Sequence, residues 1–189
     1  GAVVDAAVFQ RRLRRHRAQR RRINALGTNL VAEHAERRGK LAAIRVKVDE
    51  GRWPDWGAPM AMLFNTGPGA TINVRTDIEK QLDWLIRENP DYLITHASNL
   101  GALAELTLRR GARLPKLRQV RTYSEALRPD LRDTVRKAWG VEVADVYSSQ
   151  EVGVIAIQCP ASGHYHVMAE SLIVEVLDET DRPCAPGEV

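Results

Sequence analysis

Three groups of polar residues sit directly after apolar runs in this 189-residue chain. His96 and Ser98 follow the run that starts at Asp91. Tyr123, Ser124 and Glu125 follow Leu117–Thr122, and Tyr147, Ser148, Ser149, Gln150 and Glu151 close the run that begins at Val141. Each run reads as a buried strand, so consecutive strand ends would deliver hydroxyls, a carboxylate and aromatic rings to one edge of a sheet. In an open α/β sheet, that carboxyl edge is where ligands sit. Caps and loop residues have the same composition, and the pattern by itself gives that plainer reading equal weight. A separate set, Cys159, His164, His166 and Cys184, offers the thiols and imidazoles that hold zinc. His164 and His166 would face one side of a strand, although the spacing matches no standard zinc signature. In the alternative, Cys159 is a small buried hydrophobe and the histidines are rim residues.

The elements that must position these groups follow from periodicity and punctuation. No proline or glycine interrupts 2–26, where Val3, Ala7, Phe9, Leu13 and Ile23 make a thin apolar stripe, so a helix is expected there, ending near Gly27. A strand is expected at Leu41–Val46, a loop at 51–57 pinned by Trp53 and Trp56, a second strand at 59–64 and a turn at 65–70. Thr76 would cap a helix running to Glu88, with Ile78, Leu82, Leu85 and Ile86 on one face, stopped by Pro90. A strand at 91–96 leads to a helix that starts at Ser98 or Asn99 and runs to Arg110. Pro129 opens a further helix that ends at Gly140. Strands alternating with helices every 20–25 residues or so predict a parallel sheet flanked by helices. After Tyr147 the rhythm changes to three short alternating runs, 152–158, 164–169 and 172–177, expected to form an antiparallel meander. The expected organisation is a basic helical segment over 1–40, an α/β core over 41–150 and an antiparallel extension over 151–189.

Charge is unevenly distributed. Residues 1–22 hold eight arginines against one acid, a local charge of +7 within a net charge of +4 for the whole chain. A solvated helix face is the commonest meaning of such a stripe. Attraction of polyphosphate or CoA ranks next, and nucleic-acid binding last, because no aromatic interleaving or known module accompanies it. A hydrophobic fraction of 44% suits a folded globular chain. No run of about 18 apolar residues suggests a transmembrane helix, and an apolar start followed by dense arginine reverses the order of a secretory leader. Two cysteines fit a reducing compartment, so a cytoplasmic protein is expected. A structural or dimerising role is a third reading, and a homodimer is compatible with the sequence.

The segment Tyr147-Ser-Ser-Gln-Glu151 followed by Val152-Gly153 resembles the Tyr-Gly-x-Thr-Glu motif of the adenylate-forming (AMP-forming) acyl-CoA ligases. Its surroundings are similar to the phenylacetate–CoA ligase branch. Pro90–Leu93 and Ser98–Leu103 match a strand and helix of that branch, and Tyr123-Ser124-Glu125 stands at its Gly-Gly/Ala-Glu turn. Cys159-Pro160, His164, Glu170–Asp178 and the closing Pro183-Cys-Ala-Pro-Gly-Glu188 follow in the branch's order. The resemblance runs over Asp77–Val189 and more loosely over 41–76.

The resemblance implies that Tyr147 stacks on adenine and that Gln150, in the place of the family's Thr, hydrogen-bonds the α-phosphate. Glu151 would help to hold Mg²⁺. Ser124, Glu125 and Ala126 would contact the adenine, with Ser148 and Ser149 beside the nucleotide and His96 and Ser98 near the acyl pocket. It also implies ATP, CoA and a small carboxylic acid as partners, with no membrane. Ser148 replaces a family glycine. The Gly-rich phosphate loop and the Arg-Thr-Gly-Asp segment of the family are not in this sequence, so an internal piece of the large domain with little or no activity alone is expected, the alternative being a degenerate homologue that binds nucleotide without adenylating.

Overall fold

Leu41–Arg45, four buried apolar residues and a terminal arginine, forms β1 in the computed structural model of the protein, which describes residues 38–57, 65–149, 151–159, 163–169 and 171–185. In chain order the other elements are β2 (Gly51–Trp53), β3 (Gly69–Asn73), α1 (Ile78–Glu88), β4 (Tyr92–Thr95), α2 (Ala97–Arg110), β5 (Gln119–Tyr123), α3 (Pro129–Trp139), β6 (Glu142–Ser149), β7 (Gly153–Gln158) and β8 (Tyr165–Val167). The described chain divides into two units, one covering His34–Val146 and the other taking in the residues from Tyr147 onward.

In the first unit the strands lie in the order β2-β3-β1-β4-β5-β6. All neighbours are parallel except β2, which runs antiparallel along the β3 edge. The expected parallel sheet with flanking helices is therefore present. One face of it carries the core. Ala42, Ile44, Ala70, Ile72, Leu93, Val120 and Val143 pack on Leu82, Trp84 and Leu85 of α1, Leu100, Leu103, Ala104 and Leu106 of α2, and Leu131 and Val135 of α3. Each fully buried leucine of this cluster contributes about 2 kcal/mol in transfer free energy.

The helix ends have identifiable chemical causes. Asp77, not Thr76, is the cap of α1: its side chain accepts from the N–H groups of Glu79 and Lys80. Asn89 ends that helix in the left-handed conformation at φ 44°, and Gly111 and Gly140 do the same for α2 and α3. Pro129 occupies the first turn of α3 as expected. The helix α2 begins at Ala97, earlier than Ser98 or Asn99, and its cap residue His96 makes no side-chain capping bond.

Two strands depart from the expectation. Gly51–Trp53 pairs with β3 where a loop is expected, and β3 itself overlaps the expected turn at 65–70. Glycine serves there because backbones converge: a Cβ on Gly67 would lie 2.1 Å from the Arg38 carbonyl oxygen and 2.4 Å from that of Gly39. Of the two loop tryptophans, Trp56 is the pin, donating its ring N–H to the Gly39 carbonyl at 3.0 Å and standing edge-on to Tyr92. Trp53 is 57% exposed. At the amino end of the sheet, Glu88 is buried between Lys40 at 2.5 Å and Arg52 at 2.6 Å, tying α1 to β1 and β2. The expected helix over 2–26 and strand over 59–64 lie outside the described residues.

In the second unit β7 and β8 form the expected antiparallel pair. The run 172–177 adds no strand. It contributes one isolated bridge, Leu177 with Pro183, closed by Asp178, which accepts from Thr180 and Arg182.

Candidate functional site

The carboxyl ends of β1, β4 and β5 gather Arg45, His96, Ser98, Tyr123, Ser124 and Glu125. Register explains the gathering. Thr95 pairs with Thr122, so the residues after them, His96 and Tyr123, fall side by side with ring centroids 4.5 Å apart. Tyr123 in turn pairs with Val146 of β6, and Tyr147 follows Val146 in the chain. From β1, the Arg45 guanidinium lies 5.8 Å from the centroid of the Tyr123 ring, within cation–π range.

Ser124 turns the chain out of β5 at φ 64°, in the left-handed region. A serine there carries about 1 kcal/mol of strain that glycine would not. The turn directs Glu125 back onto the start of α2. Its Oε2 accepts from the Ser98 backbone N–H at 2.6 Å and its Oε1 from the Ser98 hydroxyl at 3.0 Å. Glu125 thus supplies, from another element, the capping acceptor that His96 does not, and places a negative charge at the positive end of the helix. His96 Nδ1 lies 3.9 Å from Glu125 Oε1. The Ser98 hydroxyl donates to the carboxylate and not to the imidazole, so no Ser–His pair is formed here. Burial raises the Tyr123 phenol above its ordinary pKa; Arg45 opposes that shift and Glu125 adds to it.

Two polar networks brace this edge from the helix side. Asn99 donates to Gln81 Oε1 at 2.9 Å and to Thr95 Oγ1 at 3.0 Å, while Gln81 donates to the carbonyls of Val74 and Thr76. Thr122 donates to the buried Asp145 at 2.7 Å. The first network locks the end of β4 against α1 and α2, and the second ties β5 to β6.

The segment that follows belongs to the second unit. Tyr147 is 53% exposed. The Glu151 carboxylate is exposed and held below the usual carboxylate range by its own backbone N–H and the Ser149 hydroxyl, so it is ionised at neutral pH. Such an oxygen donor fits a hard divalent cation as one ligand, the others coming from phosphates and water. Gln150 lies outside the described residues. Ser148 and Ser149 are half-buried at the end of β6, and Ala126 is exposed beyond Glu125.

The expected zinc set does not come together. Among the described residues no group of three or more His, Cys, Asp and Glu is arranged to hold a metal. Cys159 and His164 face each other through backbone, the Cys159 N–H donating to the His164 carbonyl at 2.6 Å across the turn into β8. Cys184 is paired with Val176 in a different turn. Backbone pairing sets these positions, and both thiols are free.

The strand order β2-β3-β1-β4-β5-β6 with helices on one face is a fold shared with part of several solved acid–CoA ligases. Solved structures show the likeness. A benzoate CoA ligase from Burkholderia xenovorans LB400 superposes with a TM-score of 0.59 at 12% identity, covering 80% of this chain and 32% of its own. VinN gives 0.58 at 21%, covering 85% and 40%. A 2-hydroxyisobutyryl-CoA ligase, in complex with 2-HIB-AMP and CoA, gives 0.57 at 19%, covering 76% and 35%. An anthranilate CoA ligase, AuaEII, bound to anthranoyl-AMP, gives 0.54 at 19%. The chain spans about a quarter to two fifths of the length of these proteins (24% of AuaEII, 40% of VinN). No protein-family model matches the sequence, and no curated protein matches it. No helix among the described residues is long and apolar enough to cross a membrane.

Proposed function

We propose that this chain is part of the large domain of an AMP-forming acid–thiol ligase of the phenylacetate–CoA ligase kind. Such an enzyme joins a carboxylate to the α-phosphate of ATP with release of pyrophosphate, then passes the acyl group to the CoA thiol with release of AMP. The observation that carries the proposal is the Ser124–Glu125 turn at the carboxyl end of β5, tied to the start of α2 through Ser98, in a fold shared with acyl-adenylate enzymes.

In this reading the exposed backbone of Ser124, Glu125 and Ala126 meets the adenine edge. The Glu125 carboxylate positions that turn, being engaged by Ser98. By the family resemblance, Tyr147 would offer a ring for the base to stack on, Ser148 and Ser149 would border the nucleotide, and Gln150 would hydrogen-bond the α-phosphate. His96, beside Tyr123, borders the acyl pocket. Glu151 would hold Mg²⁺, which supplies charge neutralisation during attack at phosphorus. Adenylation needs aligned reactants and prearranged donors, not a covalent enzyme intermediate. That agrees with a Ser98 hydroxyl engaged in holding Glu125 at the helix start. A protein that works in the cytoplasm, where ATP and CoA are available, suits this chemistry.

Isothermal titration with ATP tests the proposal. Wild-type chain is expected to bind ATP more tightly with Mg²⁺ than without it, and Glu151→Gln to reduce that metal dependence at least fivefold while leaving metal-free binding alone. Absence of ATP and AMP binding would remove the proposal, and an unchanged metal dependence would remove the role of Glu151.

A further inference from the structure

The sheet face turned away from α1, α2 and α3 carries a charge that neither the fold nor the site above uses. Along β5, Val120 and Thr122 point to the helix side, whereas Gln119, Arg121 and Tyr123 take the opposite face. Across that face Arg121 stands between Ile94 of β4 and Ala144 of β6, with Ala43 of β1 next beyond Ile94. None of these three neighbours can accept a hydrogen bond through its side chain. Arg121 is only 6% exposed, and its Nε and Nη2 have no partner. Burial pulls its pKa down to about 10, which leaves it charged at neutral pH.

The unpartnered edge has a defined shape. Nε–H and Nη2–H form the side-on pair that grips both oxygens of a carboxylate. Elsewhere in this protein the same edge does so: Arg52 presents it to Glu88 and Arg136 presents it to Glu142. Two residues further along the strands, toward the carboxyl edge, lie Tyr123, its neighbour His96 and Val146. The Nε2 of His96 is also buried and without a partner, while its Nδ1 is turned toward Glu125. Arg121 therefore lies about 7 Å behind the edge, from two residues of strand rise. The small side chains of Ala43 and Ala144 flank it, leaving the guanidinium the dominant group of its row.

We infer that Arg121 binds the distal carboxylate of the acid substrate, so that the acid activated at this edge is a dicarboxylate of about five carbons whose far end pairs side-on with Nε and Nη2. The inference rests on the ligase reading and deepens it. The reacting carboxylate stays at the edge beside His96 and Tyr123, and the second is drawn inward to the one buried cation of this face among the described residues. A monocarboxylate of equal length would leave the guanidinium unpaired, and that is the basis of selection.

Glutarate and pentanoate, equal in length and differing in the far carboxylate, separate the outcomes by calorimetric titration of the 189-residue chain, with AMP as a third ligand. Wild-type chain is expected to bind glutarate at least tenfold more tightly than pentanoate. Arg121→Leu is expected to abolish that preference, Arg121→Lys to retain part of it, and AMP affinity to stay within twofold of wild type in both. Arg121→Gln replaces the leucine variant if circular dichroism shows that the latter does not fold. Equal binding of the two acids by wild type, binding of neither, or a preference that survives loss of the guanidinium overturns the inference. A parallel fall in AMP affinity also overturns it, since Arg121 would then serve a phosphate. Failure of the wild-type chain to bind AMP, with the glutarate preference intact, would count against the ligase reading and leave Arg121 as a carboxylate receptor.

Discussion

Removing the Glu125 carboxylate tests how the site is held together. Glu125→Ala deletes two acceptors, one for the Ser98 N–H at 2.6 Å and one for its hydroxyl at 3.0 Å, from a helix whose own cap residue contributes no side-chain bond. Fully buried, two charge-assisted bonds would be worth about 3–6 kcal/mol. The Glu125 side chain is 37% exposed, so water replaces part of what is lost. The scale then falls to that of a lost cap, about 1 kcal/mol, plus a helix-dipole contribution of about 0.5 kcal/mol. The expected loss is about 1.5 kcal/mol for Glu125→Ala and about 0.5 kcal/mol for Glu125→Gln, which keeps an acceptor without the charge. Urea unfolding followed by circular dichroism reads both. A double-mutant cycle with Ser98→Ala isolates the hydroxyl bond, with an expected coupling of about 1 kcal/mol. A Glu125→Ala variant as stable as wild type, or a coupling near zero, would refute the cross-element cap and with it the account of how the turn after β5 is positioned.

Other perturbations have defined outcomes. Ser124→Gly relieves the left-handed strain at φ 64° and should raise stability by about 1 kcal/mol in urea, whereas Ser124→Val should lower it. Gly67→Ala forces a Cβ against the Arg38 and Gly39 carbonyls and should cost about 3 kcal/mol or prevent folding. Glu88→Gln should cost about 3 kcal/mol at neutral pH by leaving Lys40 and Arg52 without their shared anion. The Arg52 hydrogen bond, with Lys40, holds the Glu88 pKa below its ordinary value of 4.5. Its stabilisation is complete above that value and is lost as pH falls through the lower folded one, so wild type and Glu88→Gln should converge in acid. Arg121→Leu should raise the urea midpoint, with a gain in unfolding free energy of about 1–3 kcal/mol, since an unpaired buried charge gives way to a side chain that suits its row. A lower midpoint would mean that the guanidinium holds the fold.

Much of the architecture is legible in residue order. The three helices announce themselves through apolar spacing, Pro129 at an entrance and Gly111 and Gly140 at exits. The strands β4, β5 and β6 are plain apolar runs, and the rule that their carboxyl ends carry the chemistry brings His96, Ser98 and Glu125 together as found. What fails is tertiary in origin. The strand β3 hides in a Gly-Pro-Gly stretch of turn composition because close backbone approach, not side-chain pattern, selects its residues. Its place beside β1, reached by a crossover, leaves no local trace. Arg45 and Arg121 are inconspicuous in the sequence because each sits inside an apolar run, where period-2 alternation is the signal that they share a face with Tyr123. Glu125 carries a role that spacing cannot reveal, since the helix it caps starts 28 residues earlier in the chain, at Ala97. The zinc set fails because donor types carry no turn geometry: backbone pairing sets Cys184 against Val176, outside the β7–β8 register.

Residue-resolved amide exchange with and without AMP tests the central claim most directly. Slowed exchange concentrated at 123–126 and 147–151 is the result expected if the carboxyl edge receives the nucleotide. Protection confined to the arginine-rich residues 11–22, or no protection anywhere at saturating AMP, would contradict it.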